Sequence, residues 1–195
     1  VCKLPRRRAL RRRDRVHDRE ERRRGRRPAR AQEVAEVVAE IEAAAAAFLQ
    51  KYHPSLTIPI PIEEIVELQL NLNIVPHKEL KKNYSVDGFL SSDLTELHID
   101  EDDYMGSTNR SRFTLAHEVG HLVLHSAEVV KCSSIEEWKT IILGMGTGYS
   151  LKETEANYFA GCLLMPKQKT LDSFEAYKKL AEEEFKKKGL KLPED

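Results

Sequence analysis

Apolar residues recur at helical spacing in several segments of the chain and alternate with polar ones in others. Residues 31–52 place Val34, Val38, Ile41, Ala45, Phe48 and Leu49 on one stripe, which predicts a helix ended by Pro54. Pro59 and Pro61 mark an extended link. Residues 62–71 predict a second helix with Ile62, Ile65, Val66 and Leu70 inward. Short strands are predicted at 72–76, 84–90 and 94–99, the last two joined by a turn at Ser91-Ser92-Asp93. In 94–99 the residues Leu94, Glu96 and His98 alternate with Thr95, Leu97 and Ile99, as in a strand with one buried face. Asp100 to Ser111 is polar and reads as a loop, with Ser111 the N-cap of the next helix. That helix carries Leu115, Val119 and Leu122 on its core side. Residues 126–150 read as a plain loop, with a flexible flap over the cleft as the alternative, and Gly144, Gly146 and Gly148 are spaced too loosely for a phosphate loop. A further helix, with Ala156, Phe159, Ala160, Leu163 and Leu164 apolar, ends at Pro166. Residues 167–189 form a charged amphipathic helix carrying Phe174, Tyr177, Leu180 and Phe185. The expected class is α+β, with several helices around a short three-stranded sheet.

The helix after Ser111 contains His117-Glu118-Val119-Gly120-His121. At 3.6 residues per turn His117 and His121 share a face, one turn apart, where two imidazoles can hold one divalent ion. Glu118 lies about 100° round the helix from His117, in reach of a water beside the ion rather than of the ion itself. This is the apparatus of a metal-dependent hydrolase, usually a peptidase. Gly120 costs about 1 kcal/mol relative to alanine in a helix interior, so another element is expected to pack closely there.

A catalytic zinc usually has three protein ligands and one open position. His125 is eight residues from His117, about 12 Å of rise, so the two cannot meet at one ion. It is expected to stand behind a ligand, to face substrate or simply to pack. Glu153 is the better third ligand. It shares a helix face with Asn157, whose amide can support a ligand from behind. Glu155 is the reserve choice. Zinc is the expected ion and manganese the alternative, because two histidines and a carboxylate suit several divalent metals.

Together, Arg-Phe-Thr-Leu-Ala-His-Glu-Val-Gly-His-Leu-Val-Leu-His at 112–125 and Glu-x-x-Ala-Asn-x-Phe-Ala-x-x-Leu-Leu-Met-Pro at 153–166 resemble the ImmA/IrrE metallopeptidase family, over about residues 55–170. The resemblance implies a small, gluzincin-like zincin domain of bacterial or phage origin. It implies His117, His121 and Glu153 as metal ligands and Glu118 as general base. It also implies a protein substrate, often a helix-turn-helix repressor in phage, mobile-element or stress regulation. The chain ends soon after Met165-Pro166 compared with longer members, so a distal sensor or partner-binding region is expected to be absent or rudimentary.

On that reading the chain is a zinc-dependent endopeptidase of a repressor. The alternative is a non-catalytic, toxin–antitoxin-type module of the same fold that binds a transcription regulator. A pure binding module has no need of Glu118, which favours the enzyme. His125, Tyr149 and Tyr158 are unranked candidates for stabilising the oxyanion. Strand 94–99 is expected at the sheet edge beside the cleft, where an extended peptide could add to it.

The length of 195 residues suits one core-bearing domain, expected at 31–195. The formal net charge of zero hides an asymmetry, because residues 1–30 carry fourteen arginines and one lysine against four acids. Beyond residue 30 the only arginines are Arg110 and Arg112. Residues 1–30 lack stacking aromatics, so they read as a disordered tail or a non-native extension rather than a nucleic-acid-binding arm, and no nucleic-acid site is assigned. No secretory signal and no membrane-spanning run is apparent. Cys2, Cys132 and Cys162 make no disulfide framework, which fits a reducing cytoplasm.

Overall fold

A computed structural model describes residues 7–106, 108–126 and 146–189, with side chains for 30–106, 109–126 and 150–189. The chain divides into two units, 1–40 and 41–195. Helix α1 (Arg7–Tyr52) begins much earlier than the 31–52 expected. The arginine-rich stretch from Arg7 thus has helical backbone, in keeping with arginine's good helix propensity. The expected stripe is buried only from Ile41, through Ala45, Phe48 and Leu49, whereas Val34 is exposed.

In the second unit, α2 (Ile62–Glu64) runs into a π-helical turn (Ile65–Gln69). Ile62, Ile65 and Val66 are fully buried. Asn71 adopts φ 56°, the left-handed conformation that asparagine tolerates, and ends this segment before β1 (Asn73–His77). Helix α3 (Leu80–Tyr84) takes the start of the expected 84–90 strand, so β2 is only Gly88–Leu90. The turn into β3 (Glu96–Asp100) runs past Asp93 to Thr95. The Ser91 N–H donates to Glu96 O at 2.9 Å, and Leu94 has φ 57°.

The strand order is β1-β3-β2. β3 pairs parallel with β1 and antiparallel with β2. Leu97 and Ile99 are buried, as the alternation predicts. The expectation that β3 is an edge strand fails: it is central, and both rows of its backbone groups lie between neighbours. An extended peptide cannot add to it. Along a strand, alternation reports which face is buried and carries no information on how many neighbours flank it.

Two further corrections concern the approach to the helix that carries His117 and His121. Residues after Asp100 form α4 (Glu101–Gly106), not a loop. Buried Asp100 accepts the N–H groups of Asp102 and Asp103 on Oδ1 at 3.1 and 3.2 Å, and that of Lys81 on Oδ2 at 2.9 Å. It is the cap of α4, and the acids of the first turn complement the helix dipole. Helix α5 then starts at Thr108 and runs to His125. Ser111 is therefore one turn inside α5 and buried, not its N-cap.

Helix α6 (Gly146–Leu164) begins before the expected 153, so Gly146 to Ser150 are helical rather than loop. Residues 127–145, the side chain of Tyr149, and Cys2 and Cys132 lie outside the described residues. Ala156, Phe159, Ala160 and Leu163 of α6 are fully buried. With Leu115, Ala116 and Val119 of α5, three of them join one core with the sheet and the C-terminal part of α1. Helix α7 (Lys167–Lys187) has the expected place, but none of its residues is buried, and Phe174, Tyr177 and Leu180 are exposed. Among the described residues, no helix is long and apolar enough to cross a membrane.

On the polar side of the sheet, His98 Nδ1 meets His77 Nε2 at 2.6 Å and His98 Nε2 lies 3.3 Å from Glu96. The Phe89 ring stacks on it at 4.4 Å. Burial, then the neighbouring His77, lower the His98 pKa below 6.5. A histidine with a depressed folded pKa stabilises the fold fully above its unfolded pKa and loses that contribution as pH falls toward the folded value. In metal-free protein the melting temperature should fall between about pH 7.5 and about pH 5.5, and His98→Gln should reduce that drop. Equal drops in both proteins would remove His98 from the acid response.

Candidate metal centre

Helices α5 and α6 pack against each other at Gly120. A Cβ built there would lie 3.1 Å from both Cα and O of Ala156 and 3.3 Å from the Phe159 ring. The close approach expected from a glycine in mid-helix is thus made by α6. It brings the ligand face of α5 against the turn of α6 that carries Glu153.

His117 Nε2 lies 3.2 Å from Glu153 Oε2, and His121 Nε2 lies 3.0 Å from Glu153 Oε1. The two Nε2 atoms are 3.1 Å apart. Among the described residues, these three form the one group able to hold a metal ion. Metal–ligand bonds of about 2.0–2.1 Å at tetrahedral angles place ligand atoms about 3.3 Å apart. The observed separations are close to that.

The proton positions point the same way. Asn157 Oδ1 lies 3.0 Å from His117 Nδ1 and accepts its hydrogen, leaving the Nε2 lone pair free. On the other histidine, His121 Nδ1 meets His125 Nδ1 at 3.3 Å, and His125 Nε2 lies 2.8 Å from Glu155 Oε2. His121 Nε2 is then also a free lone pair. Two lone pairs and a carboxylate facing one another repel unless a cation lies between them, so the donor set fits a divalent ion.

Electrostatics agree with the roles. In the metal-free cluster a proton on an imidazole Nε2 takes the place of a cation. Burial works to raise the Glu153 carboxyl, but hydrogen bonds from protonated His117 and His121 hold it well below the usual range. Burial also opposes charge on His117, and the hydrogen bond to Glu153 and the charge of Glu118 outweigh it, raising its pKa. Glu118 is buried beside the histidines, and that burial pushes its carboxyl up from the ordinary value while His117 and His121 pull it down. Gly88 of β2 faces it: a Cβ there would meet Thr114 at 2.8 Å, His98 O at 2.9 Å and Glu118 Oε1 at 3.5 Å. Gly88, which sequence reading missed, is required by the close approach of Thr114 and the His98 carbonyl, and it lies next to Glu118.

The other candidates separate. Asn157 lies against His117, on the side away from Glu153. His125 stands behind His121 instead of facing an open position, and Glu155, the reserve ligand, binds His125 and not the cluster. Tyr158 donates to Glu42 Oε1 of α1 at 2.8 Å, and that bond raises its pKa to about 12. Tyr158 is thereby engaged with α1. It follows Asn157 by one position, which turns it about 100° round the helix. Cys162 is half-buried and packs against the core of its unit.

Residues 103–191 match the family model Peptidase_M78, the IrrE N-terminal-like domain. No curated protein and no solved structure matches the chain. The matched segment holds all three ligand residues and Glu118, and together these support a metallopeptidase-type function. Over that segment, which is somewhat under half of its length, the chain is similar to the IrrE N-terminal-like domain.

Proposed function

We propose that this protein is a zinc-dependent endopeptidase that hydrolyses a peptide bond in a protein substrate. The observation that carries the proposal is the convergence of His117 Nε2, His121 Nε2 and Glu153 beside the buried carboxylate of Glu118. His117, His121 and Glu153 would hold the ion. A divalent ion there supplies Lewis-acid polarisation of the scissile carbonyl and acidifies water. Glu118 takes the proton of the attacking water and delivers it to the leaving amine. Asn157 keeps His117 in the tautomer that presents Nε2. Zinc over manganese is supported by the nitrogen-rich donor set. A cytoplasmic helix-turn-helix repressor as substrate rests on the family resemblance alone.

Metal content tests this directly. Mass spectrometry of the purified protein is expected to give about one zinc per chain, and Glu153→Ala to lose most of it. A folded wild-type protein that takes up no zinc or manganese when offered either would overturn the proposal. Full occupancy in Glu153→Ala would move the third ligand elsewhere.

A further inference from the structure

We infer that Glu155 and His125 act in series as positioning residues for the metal ligand His121, which makes its support different in kind from that of His117. The inference rests on the proposed metal centre and adds residues to it. His117 is held by one neutral amide, Asn157, at 3.0 Å. His121 is held by a second imidazole, itself held by a carboxylate.

The direction of the hydrogen bonds follows from what each group can do. An ionised carboxylate only accepts, so the Glu155 contact at 2.8 Å requires the hydrogen on His125 Nε2. A neutral imidazole carries one N–H, so His125 Nδ1 is then an acceptor. It faces His121 Nδ1 at 3.3 Å and takes that hydrogen. His121 is left with its lone pair on Nε2, the atom 3.0 Å from Glu153 and 3.1 Å from His117 Nε2. The negative charge of Glu155, acting through the polarised His125 ring, holds His121 in the tautomer and orientation that present Nε2.

Helical spacing places the parts. His121 and His125 are one turn apart on α5, so their rings meet on one face. Glu153 and Glu155 are two residues apart on α6 and so lie about 200° round its axis. The first reaches the ion and the second reaches only the outer histidine. His125 therefore contributes to the centre although it is too far along the helix to join His117 as a ligand.

The test measures zinc affinity by competition with a chromogenic chelator, with the melting temperature of each metal-free variant as a fold control. Glu155→Ala, a change at a partly exposed position on a helix, is expected to weaken zinc binding about tenfold, and His125→Leu about 10–100-fold. Asparagine at 125 can place an acceptor oxygen near the Nδ1 position, so His125→Asn is expected to recover most of the affinity lost in His125→Leu. In the His125→Asn background, Glu155→Ala should have no further effect, because Glu155 acts only through the imidazole. A merely structural role would move the melting temperature and would not give this pattern.

Wild-type affinity in Glu155→Ala and His125→Leu would overturn the inference while leaving the metal centre intact. Equal weakening by Glu155→Ala in both backgrounds would show that Glu155 acts independently of His125, and would overturn the series arrangement. Absence of zinc binding by the wild-type protein would remove the metal centre and this inference together.

Discussion

Glu118→Gln is expected to lower peptide cleavage by about 10²–10⁴-fold while the bound metal stays at wild-type level. The amide keeps the size of the carboxylate, so the buried pocket against Gly88 and Thr114 remains filled. It cannot accept a proton from water, and the transfer that activates the nucleophile is lost. Glu118 is not among the three residues whose ligand atoms converge, so metal should be retained. Cleavage is read with a library of quenched fluorogenic peptides, and metal by mass spectrometry on the same samples. Undiminished cleavage would show that the base is another group. Loss of metal together with cleavage would place Glu118 among the ligands.

Gly120→Leu is expected to destabilise the protein by about 2–3 kcal/mol, or about 5–10 °C in melting temperature, and to strip the metal from what remains folded. At this position α5 already touches the backbone of α6, with Ala156 Cα and O 3.1 Å from where a Cβ would sit. Trimming a side chain on α6 cannot make room, because the contact is with main-chain atoms. The helices must separate. Separation also pulls Glu153 on α6 away from His117 and His121 on α5, so stability and metal occupancy should fall together. A variant that melts like the wild type and binds zinc normally would show that the interface yields without moving the ligands. The smaller Gly120→Ala gains about 1 kcal/mol of helix propensity against the strain, so its net effect should be much smaller.

These two changes lie on either side of what local pattern reveals. The pair His117 and His121 was readable because both ligands sit within one helical turn, where spacing alone sets their separation. Glu118 was readable for the same reason. The buried positions of α6 were readable from period, and Gly120 announced a close neighbour because a glycine in mid-helix needs a cause. Glu153 could be proposed from its face shared with Asn157, but its meeting with the histidines depends on how two helices pack, more than thirty positions apart in the chain.

Other features escaped the pattern for stated reasons. Asp100 caps α4 with its side chain while ending β3, and the run of acids after it, read as loop polarity, is a helix-start signal. Tyr158 looked available for chemistry because its partner, Glu42, lies on another helix far away in sequence. The hydrophobic positions of α7 promised a covered face, yet period shows only that one side is apolar and not that something meets it.

The sequence by itself marked the main apolar-periodic helices, the buried face of β3 and the shared helix face of His117 and His121 with Glu118 beside it, because each depends on a period set within one element. Tertiary structure alone decided that β3 is central, that Glu153 and not Glu155 lies against His117 and His121, that His125 contacts both His121 and Glu155, and that Gly88 meets Thr114 and the His98 carbonyl. Those outcomes depend on which elements become neighbours, and that is set by packing over the whole core rather than by any local repeat.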